Sequence, residues 1–265
     1  MTATPALKRV AVIGASMSDG FLLPLEVDAM VTFADFVEAA VKHEAEPVFR
    51  RSSASFFNDP IGHGARFAAA AHAHEPSLVI AIDYLFWYGY GFVRDDDARL
   101  ERLDVGLANL APFECPVLIA DFPDMTRASV GGEGIHGLPM LHPWQIPSAV
   151  CRKRLSARVL EWAGERANAH VVGIADLVDR IHAGEAVEVR GNHWPENSQR
   201  TLVDKDLLHT TFEGTAALTF LVFDALVRGD AAVPEDAFVW DKDVVMKRVL
   251  KARAAERRQR GVRDL

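Results

Sequence analysis

Three residues of this 265-residue chain have the types and the local spacing of a catalytic triad. Ser16 lies in a turn bounded by two glycines, Gly14-Ala15-Ser16-Met17-Ser18-Asp19-Gly20, and Asp206 precedes His209 by three residues. A serine hydroxyl becomes a nucleophile when a histidine accepts its proton and a carboxylate orients that histidine. The residue types therefore indicate acyl-transfer chemistry, with Ser18 as the alternative nucleophile in the same turn.

The residues that follow His209 predict the start of a helix. Thr210 and Glu213 have the spacing of a capping box, with Thr210 as the N-cap and Glu213 at the N3 position. The buried stripe of this helix is expected at Leu218, Leu221, Val222 and Leu226. We therefore expect His209 on the loop directly before the helix, where the Asp206 carboxylate can meet its ring.

Apolar segments that alternate with helical segments indicate the fold class. Buried parallel strands are expected at 9–15, 46–50, 77–83, 115–121 and 169–175. Helical spacing is found at 27–43, 63–74, 97–110 and 148–167. This βαβ alternation predicts an α/β fold with a doubly wound, five-stranded parallel sheet of order 2-1-3-4-5 and helices on both faces.

The turn after the first strand belongs to the edge at which doubly wound sheets bind their ligands. Two long irregular segments, 122–147 and 189–206, are expected to overhang the same edge. Loops of this length in a compact domain are usually functional or disordered. No internal repeat is found in the chain.

A dinucleotide site is the alternative interpretation of the glycine turn. Gly14 and Gly20 could begin a phosphate loop, and Arg50 and Arg51 after the second strand could bind the 2′-phosphate of NADP. The turn lacks the central glycine of the Gly-x-Gly-x-x-Gly pattern, and this alternative leaves the pair of Asp206 and His209 without a role.

With its nucleophile turn near the N-terminus and the block DLLHTTFEG before the last core helix, the chain resembles the SGNH (GDSL-type) hydrolases over most of residues 8–228. The resemblance implies a flavodoxin-like, three-layer α/β/α sandwich that hydrolyses ester, thioester or acetyl groups. It assigns Ser16 as the nucleophile, Asp206 as the orienting acid and His209 as the base. We expect this domain over residues 1–235 and a basic, helical C-terminal extension over residues 236–265.

The oxyanion donors differ from those of the SGNH family. The family places a glycine after the second strand and an asparagine after the third, whereas this chain has RRSSASFFNDPIGHG and AIDYLFWYGYG there. The Ser16 N–H is the expected first donor and Asn58 the candidate second donor, with backbone N–H groups near Gly62 or Gly64 as substitutes. A non-catalytic binding member of the fold is therefore a further alternative.

The third predicted strand ends in side chains that could bind substrate. Asp83 closes the strand and either replaces the missing polar group of the family or stabilises the turn, the latter being favoured. The aromatic residues that follow, among them Tyr84 and Trp87, would line an apolar pocket or pack in the core.

Composition restricts the partners. The net charge of −8 argues against nucleic-acid binding, and no apolar run is long enough for a signal sequence or a membrane span. With only Cys115 and Cys151 and no histidine cluster at metal-ligand spacing, we expect a cytoplasmic protein without metal or cofactor. The expected partner is a small-molecule ester, with a homo-oligomer as an open alternative. The basic segment 247–263 is expected to be a solvated helix or frayed tail, or to dock onto an acidic partner or sister subunit.

Overall fold

The computed structural model describes residues 5–42 and 46–263. Its strands are β1 (Val10–Gly14), β2 (Phe49–Ser52), β3 (Leu78–Ala81), β4 (Val117–Ala120), β5 (Ala169–Val172), β6 (Val187–Val189) and β7 (Asn192–Trp194). The first five strands are parallel and form one sheet of order β2-β1-β3-β4-β5. The predicted fold class and strand order are confirmed.

Helices cover both faces of this sheet. They are α1 (Leu23–Val27), α2 (Phe33–Ala40), α3 (Pro60–Ala73), α4 (Phe86–Gly89), α5 (Asp96–Leu110), α6 (Thr126–Val130), α7 (Ala149–Gly164), α8 (Ile174–Ala183), α9 (Gln199–Leu202), α10 (Phe212–Gly229) and α11 (Lys242–Arg263). Helices α2, α10 and α11 pack together in one layer, and α3, α5 and α7 pack together in the other. The result is the three-layer α/β/α sandwich that the resemblance implied.

Strand β1 shows why the sheet needs two helical layers. Val10 and Val12 belong to the core on one face of the sheet, whereas Ala11 and Ile13 belong to the core on the other face. Successive side chains of a strand point to opposite faces, so an entirely apolar strand must be covered on both sides. Packing on both faces thus fixes β1 in the sheet and, with it, the Ser16 turn that follows its carboxyl end.

The prediction of a single helix over 27–43 is wrong in its bounds. The chain forms α1 and α2 instead, because Asp28 takes a left-handed conformation with φ 48° and ends α1. Thr32 and Asp35 then form a capping box that begins α2. Position 43, the last residue of the expected helix, lies outside the described residues.

The two segments expected to be irregular contain short regular elements. In 189–206, β6 and β7 form an antiparallel hairpin, and helix α9 follows. Its two turn residues, Arg190 and Gly191, have φ values of 49° and 77°, the signs that a two-residue type I′ hairpin turn requires. In 122–147, helix α6 and two single 3₁₀ turns interrupt the loop.

The basic C-terminal extension is helical from Lys242, and its first half joins the core. Val245 and Val249 are buried against the layer of α2 and α10. Val41 and Phe238 form an isolated antiparallel bridge that fastens the preceding loop to the end of α2. The expected solvated helix is therefore solvated on one side only. No helix in the described part of the chain has the length and apolarity to cross a bilayer.

Candidate active site

The turn after β1 folds back on itself and presents Ser16 at the sheet edge. The Asp19 N–H donates to the Ala15 carbonyl at 3.0 Å, and the Phe21 N–H donates to the Ser16 carbonyl at 2.9 Å. Gly20 has φ 75°, and a Cβ there would collide with the Val31 carbonyl. Ser16 remains partly exposed, which leaves its hydroxyl accessible to a ligand.

The segment from Asp204 to His209 is a closed loop built around the Asp206 carboxylate. Asp206 Oδ1 accepts hydrogen bonds from the Leu208 N–H at 2.9 Å and from the His209 N–H at 3.0 Å. Leu207 has φ 57°, a left-handed conformation that costs a residue with a Cβ about 1–2 kcal/mol. The loop stores this strain next to the functional side chains, as functional sites often do.

The loop brings Ser16, His209 and Asp206 into one hydrogen-bonded line. His209 Nε2 lies 2.8 Å from Ser16 Oγ, and His209 Nδ1 lies 2.5 Å from Asp206 Oδ2. If Nδ1–H donates to the carboxylate, Nε2 is left as the acceptor for the serine proton. The geometry expected of a triad is present, although 193 positions separate the serine from the histidine.

The Asp206 carboxylate is buried but stays ionised. Asp206 is fully buried and His209 is 3% exposed. Burial by itself would raise the pKa of Asp206, but the electrostatic attraction of the His209 ring and the hydrogen bonds from that ring and from the N–H groups of His209 and Leu208 outweigh burial and lower the pKa below its ordinary value. The carboxylate therefore stays charged and can orient the ring.

Helix α10 begins one residue later than expected. The N-cap is Thr211, whose hydroxyl accepts from the Gly214 N–H at 2.9 Å. The expected cap, Thr210, instead shares a hydrogen bond with the Thr215 hydroxyl. Glu213 accepts from the Trp194 indole and pairs with Lys242, so the predicted capping box is wrong. These long-range partners of Glu213 are invisible in the local spacing.

Asp83, which follows β3, fixes the nucleophile turn by hydrogen bonds. Its Oδ2 accepts from the Met17 N–H at 2.9 Å and the Ser18 N–H at 3.1 Å, and its Oδ1 accepts from the Ser18 hydroxyl at 2.5 Å. A Cβ on Gly14 would collide with this carboxylate and with the Ser18 side chain. Burial raises the pKa of Asp83, and the hydrogen bonds from Ser18 oppose that rise. The favoured interpretation of Asp83, stabilisation of the turn, agrees with these contacts.

Ser16 and His209 open into an apolar cavity of about 120 Å³. Its walls come mainly from the end of β4 and the residues after it, helix α8, the Asp206 loop and helix α10. The larger apolar lining residues are Met17, Ile82, Phe86, Trp87, Phe122, Pro123, Met125, Ile174, Leu177, Val178, Ile181, Leu202, Val203, Leu207, Leu208 and Leu218. The polar lining side chains besides Ser16 and His209 are Asp83, Asp121, His182 and Thr210. No lysine or arginine lines the cavity in the described part of the chain.

Of three residues predicted to bind substrate or the oxyanion, one lines the cavity and two do not. Trp87 lines the cavity, as expected of a substrate-binding residue. Tyr84 is fully buried in the core, with its ring 5.6 Å from that of Tyr88, and lies outside the cavity lining. Asn58 is exposed on a 3₁₀ turn and is absent from the lining, so the structure does not bring it to Ser16.

The glycines offered as substitutes for Asn58 have structural roles. The Gly62 N–H donates to Asp59 Oδ1 at 2.9 Å and completes the cap of α3. Gly64 lies against the hydroxyls of Tyr84 and Tyr88, where a Cβ would collide. The Ser16 N–H, by contrast, has no hydrogen-bond acceptor among the residues that the structure describes. It belongs to a residue that lines the cavity.

The cavity wall formed by α8 is the part of the site that sequence reasoning missed. Ile174, Leu177, Val178 and Ile181 have the helical spacing of a buried stripe, which was a signal for a helix beginning at this point. The sequence predicts one strand over 169–175, whereas β5 ends at Val172 and α8 begins at Ile174. Within the described residues, no group of His, Cys, Asp or Glu side chains is arranged to hold a metal ion.

The chain is similar to known proteins in its fold. No protein-family model matches the chain, and no curated protein matches it. The chain is similar to BT4096, a gut microbial diltiazem-metabolizing enzyme, with a TM-score of 0.52 and 10% identity over 82% of this chain and 46% of that one. It thus spans about half the length of that enzyme. At this identity the similarity shows a shared fold and nothing of the substrate.

Two bacterial structures are similar at lower scores. A lipase/acylhydrolase from Enterococcus faecalis has a TM-score of 0.49 and 14% identity, over 83% of this chain and 96% of that one. A proposed acylhydrolase from Bacteroides fragilis has a TM-score of 0.47 and 15% identity, over 83% of this chain and 87% of that one.

Proposed function

We propose that this chain is a serine hydrolase of the SGNH type that cleaves a small ester. The observation that carries the proposal is the hydrogen-bonded line from Ser16 Oγ through the His209 ring to Asp206. A serine that merely capped a helix would have no need of a buried histidine and a buried carboxylate aligned behind it.

The contacts support a two-step reaction through an acyl-enzyme. His209 Nε2 accepts the hydroxyl proton of Ser16 as Oγ attacks the ester carbonyl. When the tetrahedral intermediate collapses, the C–O bond of the ester breaks and His209 returns the proton to the departing alkoxide. Water then loses a proton to His209 and attacks the acyl carbon. The bond between the acyl carbon and Ser16 Oγ breaks, His209 returns the proton to Oγ, and the acid is released. Asp206 holds the ring in the required tautomer throughout.

The Ser16 N–H is the proposed donor for the negative charge that develops on the carbonyl oxygen. A backbone donor of this kind commonly contributes about 3 kcal/mol to transition-state stabilisation. The neighbouring Met17 N–H is already occupied by Asp83. A single free donor in this turn predicts a slower enzyme than one with two or three.

The lining supports a neutral, apolar acyl group of limited size. Asp83 and Asp121 are the acidic side chains at the cavity, and no arginine or lysine in the described lining compensates them. A substrate anion would therefore find no lysine or arginine in the described lining to pair with. A cavity of about 120 Å³ is comparable with an engineered cavity of about 150 Å³ that takes benzene, which favours short acyl chains.

A serine-directed fluorophosphonate probe tests the proposal. We expect labelling of Ser16 in the full-length protein, with the modified peptide identified by mass spectrometry, and turnover of p-nitrophenyl acetate. Ser16→Ala is the matched control and should lose both. Absence of labelling in a correctly folded protein would instead favour a non-catalytic binding member of this fold.

The NADP-binding alternative has less support. The Asp83 side chain fills the glycine turn and already accepts from the N–H groups of Met17 and Ser18, which a phosphate loop would offer to the pyrophosphate. The cytoplasmic location and a homo-oligomeric state remain predictions.

A further inference from the structure

Phe21 touches the histidine of the candidate triad, although the proposed reaction steps give it no role. The centres of the Phe21 and His209 rings lie 4.9 Å apart, and the two ring planes are inclined by 52°. Aromatic side chains attract one another at centroid separations of about 4.5–7 Å. The phenyl ring is therefore in direct contact with the proposed base.

The position of Phe21 is explained neither by a core nor by the ester cavity, the one into which Ser16 and His209 open. Among the residues that the structure describes, Phe21 belongs to neither hydrophobic core and does not line that cavity. It is partly exposed, whereas His209 is 3% exposed. Contact with the His209 ring is thus the feature that distinguishes this side chain.

The nucleophile turn fixes the backbone of Phe21. The Phe21 N–H donates to the Ser16 carbonyl at 2.9 Å, so the residue that contacts the base is bonded to the nucleophile. Gly20 and Leu22, on either side of Phe21, have left-handed conformations with φ 75° and 72°. Leu22 carries a Cβ and keeps this conformation only because the surrounding structure offsets its cost. The turn that presents Ser16 therefore also determines where the Phe21 ring lies.

The chain after Phe21 is bonded to the chain after His209. Glu26 on α1 accepts from the Phe212 N–H at 2.7 Å. Phe212 is the first residue of α10 and lies three positions after His209. Residues 21–26 therefore join the Ser16 turn to the chain around His209 at two points, the His209 ring and the start of α10.

Packing against the ring adds to what the hydrogen bonds of His209 achieve. The two ring nitrogens bond Ser16 and Asp206. A catalytic side chain keeps its productive geometry when packing locks its rotamer as well. A phenyl ring against the imidazole also keeps water away, and a hydrogen bond is stronger where water is excluded.

We propose that Phe21 is a positioning residue, which holds the His209 ring against Ser16 and shields it from water. The proposal rests on the proposed ester hydrolysis, because Phe21 acts through the base. Phe21 lies outside the cavity lining and so makes no contact with substrate there. Its removal therefore slows proton transfer from Ser16 without weakening substrate binding.

Kinetics and labelling of Phe21→Ala test the proposal. We expect kcat for p-nitrophenyl acetate and the rate of fluorophosphonate labelling to fall about tenfold, because a misplacement of about 1 Å can cost up to about a hundredfold in rate. KM should change less than about twofold, since substrate binding is not involved. Phe21→Tyr keeps the aromatic ring and should keep most of the wild-type rate.

Phe49→Ala is the matched control. Phe49 is also partly exposed, and its ring lies 4.8 Å from the ring of another histidine, His74. Neither residue lines the ester cavity. This variant loses a similar contact and should keep the kcat and the labelling rate of the wild type.

Proton exchange separates positioning of the ring from a general structural effect. The rate at which His209 Nδ1–H exchanges with water is measured by nuclear magnetic resonance from its low-field proton signal, which His209→Gln identifies. We expect faster exchange in Phe21→Ala, because water then reaches the ring, and unchanged exchange in Phe49→Ala.

The proposal is overturned if Phe21→Ala is labelled and turns over as fast as the wild type, if its exchange rate is unchanged, or if Phe49→Ala loses as much activity. A raised KM with unchanged kcat would overturn it as well, since Phe21 would then act on substrate binding. Failure of the proposed hydrolysis is a separate result, in which the wild type itself is neither labelled nor active. The exchange rates then still show whether Phe21 holds the ring.

Discussion

Ser18 Oγ lies 2.5 Å from Asp83 Oδ1, so the second serine of the nucleophile turn is turned away from His209 and committed to a structural bond. Ser18 is 1% exposed, whereas Ser16 is partly exposed and lies 2.8 Å from His209 Nε2. The two serines of the turn therefore have different roles. One meets the base, and the other ties the turn to the end of β3.

Exchanging each serine for alanine should separate these roles. Ser16→Ala is expected to abolish ester turnover and fluorophosphonate labelling with little change in melting temperature. Ser18→Ala should keep measurable activity but lower the free energy of unfolding by about 1–3 kcal/mol, because Asp83 loses a buried hydrogen-bond partner. Steady-state kinetics and urea denaturation of both variants check this. Loss of labelling in Ser18→Ala alone would reverse the assignment.

Asp83→Asn and Asp83→Ala should differ strongly. The amide oxygen of asparagine can accept from the N–H groups of Met17 and Ser18, and its NH₂ group can donate to the Ser18 hydroxyl. We therefore expect Asp83→Asn to retain most activity. Asp83→Ala leaves these buried donors unpaired and should lower kcat by roughly tenfold or more and reduce the melting temperature.

The measurement for Asp83 is kcat and KM on p-nitrophenyl acetate beside a thermal melt. If Asp83 only filled space, both variants would lose stability with unchanged kcat in the folded fraction. Equal, complete inactivation of Asp83→Asn and Asp83→Ala would show instead that the negative charge itself is required.

The stability that Asp206 contributes should disappear in acid. Its pKa in the folded protein is lower than the ordinary value of 3.8, so the unfolded chain binds the proton more readily than the native one. The contribution is therefore complete well above pH 3.8 and is lost as the pH falls through the lower, folded-state pKa. Urea denaturation of wild type and Asp206→Asn between pH 2 and pH 7 measures it. The difference between the two proteins should be constant near neutrality and shrink below about pH 4; a difference that grew in acid would contradict the assignment.

Shortening one wall of the ester cavity should change acyl-chain preference. Leu177 is partly exposed and lines the cavity from α8, so Leu177→Ala adds room without opening the core. We expect kcat/KM for p-nitrophenyl octanoate, relative to the acetate, to rise about 5- to 10-fold, since a methylene in an apolar pocket is worth about 1–3 kcal/mol. Leu160→Ala, at a 57% exposed position on α7, is the control and should leave the ratio unchanged. An unchanged ratio in Leu177→Ala would place the acyl group elsewhere.

Much of the fold and the central line of the site could be predicted from the sequence because their signals are local. Apolar runs bounded by turns predict five parallel strands, and right-handed crossovers leave the order 2-1-3-4-5. Burial was predicted for all five, but only β1, β3 and β4 are buried throughout, because β2 and β5 are the edge strands of the sheet. Ser16 follows the first run, and Asp206 and His209 are three residues apart. The parallel sheet then brings the Ser16 turn and the loop of Asp206 and His209 to the same edge, since ligand crevices of such sheets lie at the carboxyl ends of the strands.

What the sequence by itself determined, therefore, was the kind of fold and the pair of Asp206 and His209, with Ser16 or Ser18 as the serine that meets them. Only the tertiary structure decided which serine faces His209, because that depends on Asp83, 65 positions after Ser18. The tertiary structure also placed Asn58 outside the cavity and moved the cap of α10 to Thr211. Side-chain partners at long sequence separation depend on packing, and no local spacing encodes them.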